Sequence, residues 1–466
     1  MKTNFKNIYF IGIGGIGMSA LARFFKFNGY NVAGYDSTVS DLTKNLEKDG
    51  IQIHYEDNIS LVDKNFKNNK ETLVVYTPAI QESHSELMFF RKNDFEVIKR
   101  AKLLFMVSKN EKTVAIAGSH GKTTITAMVS HIFKKAQKLQ AAFVGGILKN
   151  YNSNFINGNK KSGCIVTEAD EFDKSFLQLQ PFLSVISAIE PDHLDIYSDI
   201  NDLEKTFGEF VSQTDKVTVV NEKVKITENE RPYIFRYGFG DDVDFKAINI
   251  RTIENYQVFD IKHFEGTIEN IKIYMPGKVN IENALAAFAT SYLLSVEIGI
   301  IKQALEDFKG VERRFDTLYK SKKRIYINDY AHHPSEIEGL YEAVKQFYPD
   351  KKITAVFQPH LYSRTRDFAD GFAKVLSKFD ETIITDIYPA REKPIEGVSS
   401  QMIIDKMSSN TVKYCKYDKI YELIEKEEPE LLLTIGAGDI NNLTKKISDI
   451  LSKIDQKYKL KNEKIS

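Results

Sequence analysis

Short, largely apolar runs recur along the chain, and each ends abruptly in glycine, acid or another polar group. Ile8–Ile11 runs into Gly12, Asn31–Tyr35 into Asp36, and Thr72–Tyr76 into Thr77. Thr113–Ile116 precedes Ala117-Gly118, Gly163–Thr167 precedes Glu168, and Leu183–Ile189 precedes Glu190. Further on, Arg324–Asn328, Ile353–Phe357, Thr382–Thr385 and Leu431–Ile435 stop at Asp329, Gln358, Asp386 and Gly436. Runs this short, without polar alternation, predict strands buried on both faces of parallel sheets. Helical stripes lie between them: Ile16, Ala20, Leu21, Phe24 and Phe25, then Ile125, Met128, Val129, Ile132 and Phe133. An alanine-rich helix is predicted from Ala284 to about Ser295, and Ser335-x-x-Glu338 predicts a capping box opening another. Strand–helix alternation of this kind is an α/β fold, whose ligands gather at the carboxyl ends of the strands.

At 466 residues the chain exceeds one typical core. The reading gives three domains: Rossmann-like over 1–106, a central P-loop ATPase-type α/β domain over 107–313, and a Rossmann-like α/β domain over 314–466. Hydrophobic residues make up 42% and charged residues 27%, as in soluble globular proteins. Lys plus Arg and Asp plus Glu are both 64, so no global charge points to nucleic acid or a membrane surface. No apolar run is long enough to span a bilayer, and Gly12, Gly14, Gly15 and Gly17 break the N-terminal run that a signal peptide would need. The two cysteines, Cys164 and Cys415, form no disulfide framework, so a cytoplasmic setting is expected. The Lys-rich tail after about Ile454 is expected to fray.

The strongest chemical signal is Gly118-Ser119-His120-Gly121-Lys122-Thr123-Thr124, set between a strand and a helix. Backbone N–H groups there face a phosphate, Lys122 adds charge, and the Thr123 hydroxyl suits Mg²⁺. The ordinary P-loop has a further glycine where this chain has Ile116, so the loop is a contracted one. Gly12-Ile13-Gly14-Gly15-Ile16-Gly17, with Asp36 ending the next strand, is a dinucleotide-type fingerprint. Its glycines admit a diphosphate without saying whether it belongs to NAD, FAD or a UDP-sugar. Thr77 lies in a neighbouring strand-end loop. Glu168-Ala169-Asp170-Glu171 could complete a metal site with Thr123, and His193 could ligate a second metal or touch a phosphate. Asn280 and Asn283 could read an adenine edge from one helix face, or simply cap the helix. His332, His333 and His360, among nine histidines, sit in strand-end loops of the last segment.

As a set, these motifs resemble the Mur ligases, over essentially the whole chain from Gly12 to Asp439. Asp329-Tyr330-Ala331-His332-His333-Pro334 and Phe357-Gln358-Pro359-His360 look like the L-alanine-adding branch. The resemblance implies an ATP- and Mg²⁺-dependent ligase joining L-alanine to UDP-N-acetylmuramate through an acyl phosphate. It implies small-molecule partners only, and a monomer or weak homodimer. Carried over residue by residue, it assigns UDP to Gly12, Gly14, Gly15, Ile16, Gly17, Met18, Asp36 and Thr77. ATP falls to Gly118 through Thr124 together with Asn280, Asn283, Arg314 and Asp329. It gives the metal to Thr123, Glu168 and His193, and the amino acid to His332, His333, His360 and Arg364. The catalytic set is then Lys122, His193, His332, His333 and Arg364. The chain departs from the family pattern at Val279, where a histidine is common, at Leu361, where an arginine is, and at Ala188, where an asparagine is.

The nearest rival is a sibling ligase that attaches a whole tripeptide; the Gly-Gly-Ile-Gly-Met-Ser opening argues against it. An NAD-dependent dehydrogenase leaves the ATP loop and the acidic clusters over 168–173 and 190–195 unexplained. A switch or transport ATPase predicts ATP turnover without UDP-N-acetylmuramate or L-alanine, where a ligase hydrolyses little ATP without its acceptor.

Overall fold

Register places the predicted strand ends level with one another. In the computed structural model, Asn7–Ile11 pairs in parallel with Asn31–Tyr35 and with Thr72–Tyr76, Ile11 standing opposite both Tyr35 and Tyr76. Gly12, Asp36 and Thr77 therefore leave one sheet edge together. The structure describes every residue except 1–4, 159–162, 191–196, 198, 227–231, 254–255, 391, 409–410 and 464–466, and the side chains of 459–463.

Three sheets carry the fold. The first has five parallel strands in the order Gln52–His54, Asn31–Tyr35, Asn7–Ile11, Thr72–Tyr76, Glu96–Lys99. The second has ten strands, and the phosphate-loop strand Thr113–Ala117 runs inside it between Leu183–Ile186 and Cys164–Glu168. The third has six, with Ile325–Asp329, Leu431–Ile435, Ile353–Phe357 and Glu381–Ile384 parallel and adjacent, and Asp316–Lys320 antiparallel on the edge. Helices join most of the central parallel strands, whereas Val217–Asn221 through Gly266–Ile273 follow one another with no helix among the described residues; the chain consists of three α/β domains. They form two compact units: Met1–Ile253 with Val258–Tyr274 and Ile281–Lys309, and Glu254–Gln257 with Met275–Asn280 and Gly310–Ser466.

The central strands are buried along their whole length, as their lack of alternation requires: Thr113–Ala117, Ile353–Phe357 and Leu431–Ile435 have no exposed residue. The helix after the phosphate loop, Lys122–Lys135, is buried from Thr123 to Phe133. Among its buried polar members, Ser130 donates to the Thr126 carbonyl at 2.6 Å, while the Thr126 hydroxyl meets no hydrogen-bond partner among the described residues.

Several local expectations are corrected. Strand Leu183–Ile186 stops short of Ile189, because Ser187 and Ala188 turn to bond the phosphate loop. The alanine-rich helix starts at Lys278 rather than Ala284 and ends at Leu293. The capping box lies two residues earlier than predicted: His333 caps Pro334–Phe347 with Glu336, because Pro334 suits the first turn, while Glu338 pairs outward with Lys378. The tail does not fray at Ile454. Helix Thr444–Glu463 continues, pinned where Asp455 accepts from Arg324, Ser321 and Tyr319 and where Tyr458 donates to Glu428 at 2.8 Å.

Candidate functional site

The phosphate loop is shaped by what a side chain would hit. Gly118 (φ +133) could not carry a Cβ, which would stand 2.2 Å from Ser187 Oγ, and one on Gly121 (φ +78) would stand 2.6 Å from Asn283 Oδ1. Both conformations are ones that only glycine enters cheaply. Ser119 bonds Ala188 O through its N–H at 2.9 Å and Glu190 O through its hydroxyl at 3.1 Å; His120 Nε2 lies 3.1 Å from Glu190 Oε2. The loop is thus stitched to the neighbouring strand end. Lys122, at the first helical position, bonds Gly118 O at 2.7 Å and both oxygens of Glu171 at 2.7 Å. Burial opposes its charge, but Glu171 and Asp170 outweigh that and hold the ammonium above its ordinary pKa. Thr124 is buried behind it.

Glu168 ends the adjacent strand. Its Oε1 accepts the Gly145 N–H at 2.6 Å, and the Thr123 hydroxyl also bonds it. Burial pushes this carboxyl up, more than Gly145, Lys122 and Thr123 pull it down. A buried carboxylate and a hydroxyl side by side, with a net need for positive charge, suit a hard divalent cation. His193, the third predicted metal residue, lies outside the described residues.

At the first glycine loop, Gly12 (φ +85) packs so closely that a Cβ would meet Thr77 Cγ2 at 2.6 Å. Asp36 Oδ2 accepts the Gly14 N–H at 2.8 Å, so it braces the loop. Gly15 begins helix Ile16–Phe27. A cavity of about 250 Å³ opens here, lined by Gly15, Ile16, Gly17, Met18 and Thr77 on one side and by Gly145, Glu168 and Asp170 on the other. Two predicted clusters, widely separated in sequence, therefore share one hollow. Arg100 lines it too, 3.0 Å from where a Gly17 Cβ would be and 3.9 Å from Asp170. Sequence reading missed Arg100, although it follows directly on a strand end.

The two asparagines separate. Asn283 is buried against the phosphate loop, whereas Asn280 Nδ2 donates back to Pro276 O at 2.6 Å.

In the second unit, Asp329 accepts N–H bonds from Phe315 at 2.6 Å and Ala331 at 2.8 Å, and burial still pushes its carboxyl up. Arg314 lies over the Tyr330 ring at 4.9 Å and 3.8 Å from Glu336. His332 Nδ1 is 3.0 Å from Tyr330 O, and burial lowers its pKa. A carbonyl can only accept, so Nδ1 carries the proton and Nε2 the lone pair. His332 and His360 rings are 6.1 Å apart, and Arg364, only 8% exposed, reaches His360 Nδ1 at 3.4 Å. His333 serves as the helix cap, its ring 4.7 Å from Phe368. Three of these predicted residues converge through strand-end register, since Asp329 and Phe357 both stand opposite Ile435. Gln358, within Phe357-Gln358-Pro359-His360, donates to Asp439 at 2.7 Å and accepts from Ile440 N–H at 2.9 Å, tying two strand ends.

Comparison with known proteins agrees along the chain. Residues 7–112 match the Mur ligase family catalytic domain, 116–291 the Mur ligase middle domain and 313–438 the Mur ligase glutamate ligase domain. The chain is 46% identical over 447 residues to a UDP-N-acetylmuramate–L-alanine ligase of Christiangramia forsetii, covering 96% of this chain and 98% of that one. The solved UDP-N-acetylmuramate–alanine ligase of Thermotoga maritima matches with a TM-score of 0.82 at 27% identity, covering 96% of this chain and 99% of that one. A murein peptide ligase of Psychrobacter arcticus shares the fold at a TM-score of 0.68 and 20% identity, covering 96% and 98%. The chain belongs to the Mur ligase family.

Proposed function

We propose that this protein is an ATP-dependent ligase that joins L-alanine to the carboxylate of UDP-N-acetylmuramate, releasing ADP and phosphate, in peptidoglycan precursor synthesis. The observation that carries this is the shared hollow: a diphosphate-type glycine loop and a phosphate-loop acid cluster line one cavity. A sugar nucleotide bound at Gly12–Met18, against Asp36 and Thr77, would lay its acyl end toward Glu168 and Lys122. The alanine-ligase relatives, matched at 40–46% identity over 94–97% of the chain, favour alanine over a tripeptide.

A carboxylate is a poor electrophile, so it must be activated. One of its oxygens bonds the γ-phosphorus of ATP as the bond to ADP breaks, giving an acyl phosphate. Lys122, kept cationic by Glu171, spreads the charge on the transferring group, and the N–H groups of Gly118–Thr124 hold the remaining phosphates. Asn280, Asn283, Arg314 and Asp329 are assigned to the nucleotide. Thr123 and Glu168 would hold one Mg²⁺ and His193 would help hold a second, supplying further neutralisation of phosphate charge. Arg364 would take the alanine carboxylate bidentately, with His333 and His360 beside it. The neutral Nε2 of His332 is suited to accept the proton that the alanine amine loses as it adds to the acyl carbon, before phosphate leaves.

The domains carrying these tasks would span 1–106, 107–313 and 314–466. The protein would act in the cytoplasm as a monomer or weak homodimer. Among the described residues no helix is long and apolar enough to cross a membrane. Mass analysis of the product tests the proposal: a UDP-N-acetylmuramate heavier by one alanine residue supports it, whereas product formed only with the tripeptide overturns it in favour of the recycling ligase.

A further inference from the structure

His360 and Arg364 flank Leu361, whose backbone (φ 69, ψ 140) lies in a region that a branched residue occupies only when its surroundings impose it. The imposing partner is Tyr388. Its N–H donates to Pro359 O at 2.8 Å and its carbonyl accepts from Leu361 N–H at 2.9 Å, bracketing His360 on both sides. Its ring also stacks on the imidazole, with centroids 5.7 Å apart and planes at 20°. Behind it, a Cβ on Gly438 would stand 2.7 Å from Tyr388 Cβ, so the tyrosine is seated against the loop that follows Leu431–Ile435. The helix that carries Arg364, Tyr362–Asp367, has no side-chain cap of its own at Leu361. Glu392 supplies one from outside, accepting the Ser363 N–H at 3.0 Å and the Ser363 hydroxyl as well. The loop after strand Glu381–Ile384 thus orients both groups, one by stacking and one by capping.

We propose that Tyr388 and Glu392 are positioning residues for the amino-acid substrate, Tyr388 fixing the His360 imidazole and Glu392 fixing the helix that presents Arg364. This rests on the ligase reading above. Neither side chain belongs to a hydrophobic core, and both are half-buried, so their loss acts on the site more than on the fold. The ligand class they serve is a small zwitterion, whose α-carboxylate meets Arg364 only if the guanidinium is held within about an ångström of its place.

Phosphate-release kinetics on the full-length enzyme, varying each substrate in turn, test the proposal, with thermal melts confirming that each variant is folded. Tyr388→Leu is expected to raise the L-alanine KM about tenfold and leave the ATP and UDP-N-acetylmuramate KM within about twofold, while Tyr388→Phe restores alanine KM. Glu392→Ala is expected to raise alanine KM alone, Glu392→Gln less so. An unchanged alanine KM in Tyr388→Leu and Glu392→Ala overturns the role. So does a parallel rise in all three KM values, or a Phe variant as impaired as Leu. If Tyr388→Leu does not fold, Glu392→Ala decides by the same criterion. Wild-type turnover indifferent to L-alanine would remove the ligase reading and this role with it; alanine-dependent wild type with unaltered variants would remove the role alone.

Discussion

At the phosphate loop, position is set by backbone. Gly118 and Gly121 sit at positive φ with no room for a Cβ, and the Ser119 N–H and the His120 carbonyl tie the loop to its neighbour. To this backbone frame one distant side chain, the 2% exposed Glu171, adds a lock on Lys122. At the histidine–arginine cluster of the second unit, side chains from distant segments add to a backbone bracket: a tyrosine ring on His360, a borrowed carboxylate under the helix of Arg364, a glutamate at His332. The first arrangement tolerates almost no substitution and holds charge in place. The second can be tuned one contact at a time, which suits a site that must recognise a small amino acid.

The largest effect is expected at Lys122. Lys122→Ala should cut phosphate release by about a thousandfold or more, while UDP-N-acetylmuramate binding by calorimetry stays nearly unchanged. It also leaves Glu171 buried and unpaired, a loss of about 3–5 kcal/mol that a melt would register. Adding Glu171→Gln should recover stability without activity; recovered activity would show that the pair, not the cation, was needed. Next comes the backbone: Gly121→Ala should lower kcat/KM for ATP about tenfold to a hundredfold, by strain at φ +78 and collision with Asn283. Near-wild-type kinetics there would erase the contrast between the two regions. Arg364→Lys should be milder, raising alanine KM about tenfold through loss of the bidentate fork, with ATP KM steady.

The smallest catalytic effect is expected outside both regions, in the helix Ser85–Lys92 beside the first sheet. Glu86 is fully buried, accepts from Tyr9 OH at 2.7 Å, and burial pushes its pKa up to about 7 from 4.5. Its folded pKa exceeds its unfolded one, so its contribution to stability is complete below about pH 4.5 and is lost as pH rises through about 7. The loss is on the order of 3 kcal/mol. Glu86→Gln should flatten that pH dependence in melts and leave every KM unaltered.

The same contrast explains what the sequence revealed. Backbone devices are written contiguously: Gly12-x-Gly-x-x-Gly and Gly118-x-x-Gly121-Lys122-Thr123 announce their strand, turn and helix, and the strands Asn31–Tyr35, Thr72–Tyr76, Ile353–Phe357 and Leu431–Ile435 lie where apolar runs predicted them. Side-chain devices are assembled across long separations. Glu171 clamping Lys122 from 49 residues away, Arg100 entering the glycine-loop hollow and Glu392 capping a helix 29 residues upstream carry no local pattern. The shifted cap at His333 failed for a related reason: Ser335-x-x-Glu338 is a good box, but Pro334 fixes the helix start before it. Asn280 and Asn283 share a helical spacing and still part company, because one turns back to a carbonyl of its own loop.

Phosphate release from ATP, with UDP-N-acetylmuramate present and L-alanine added or withheld, tests the central claim most directly. Release that requires both co-substrates is the predicted result. Release indifferent to both would contradict it, leaving a nucleotide hydrolase on a Mur ligase scaffold and stripping the second-unit residues of their assigned roles.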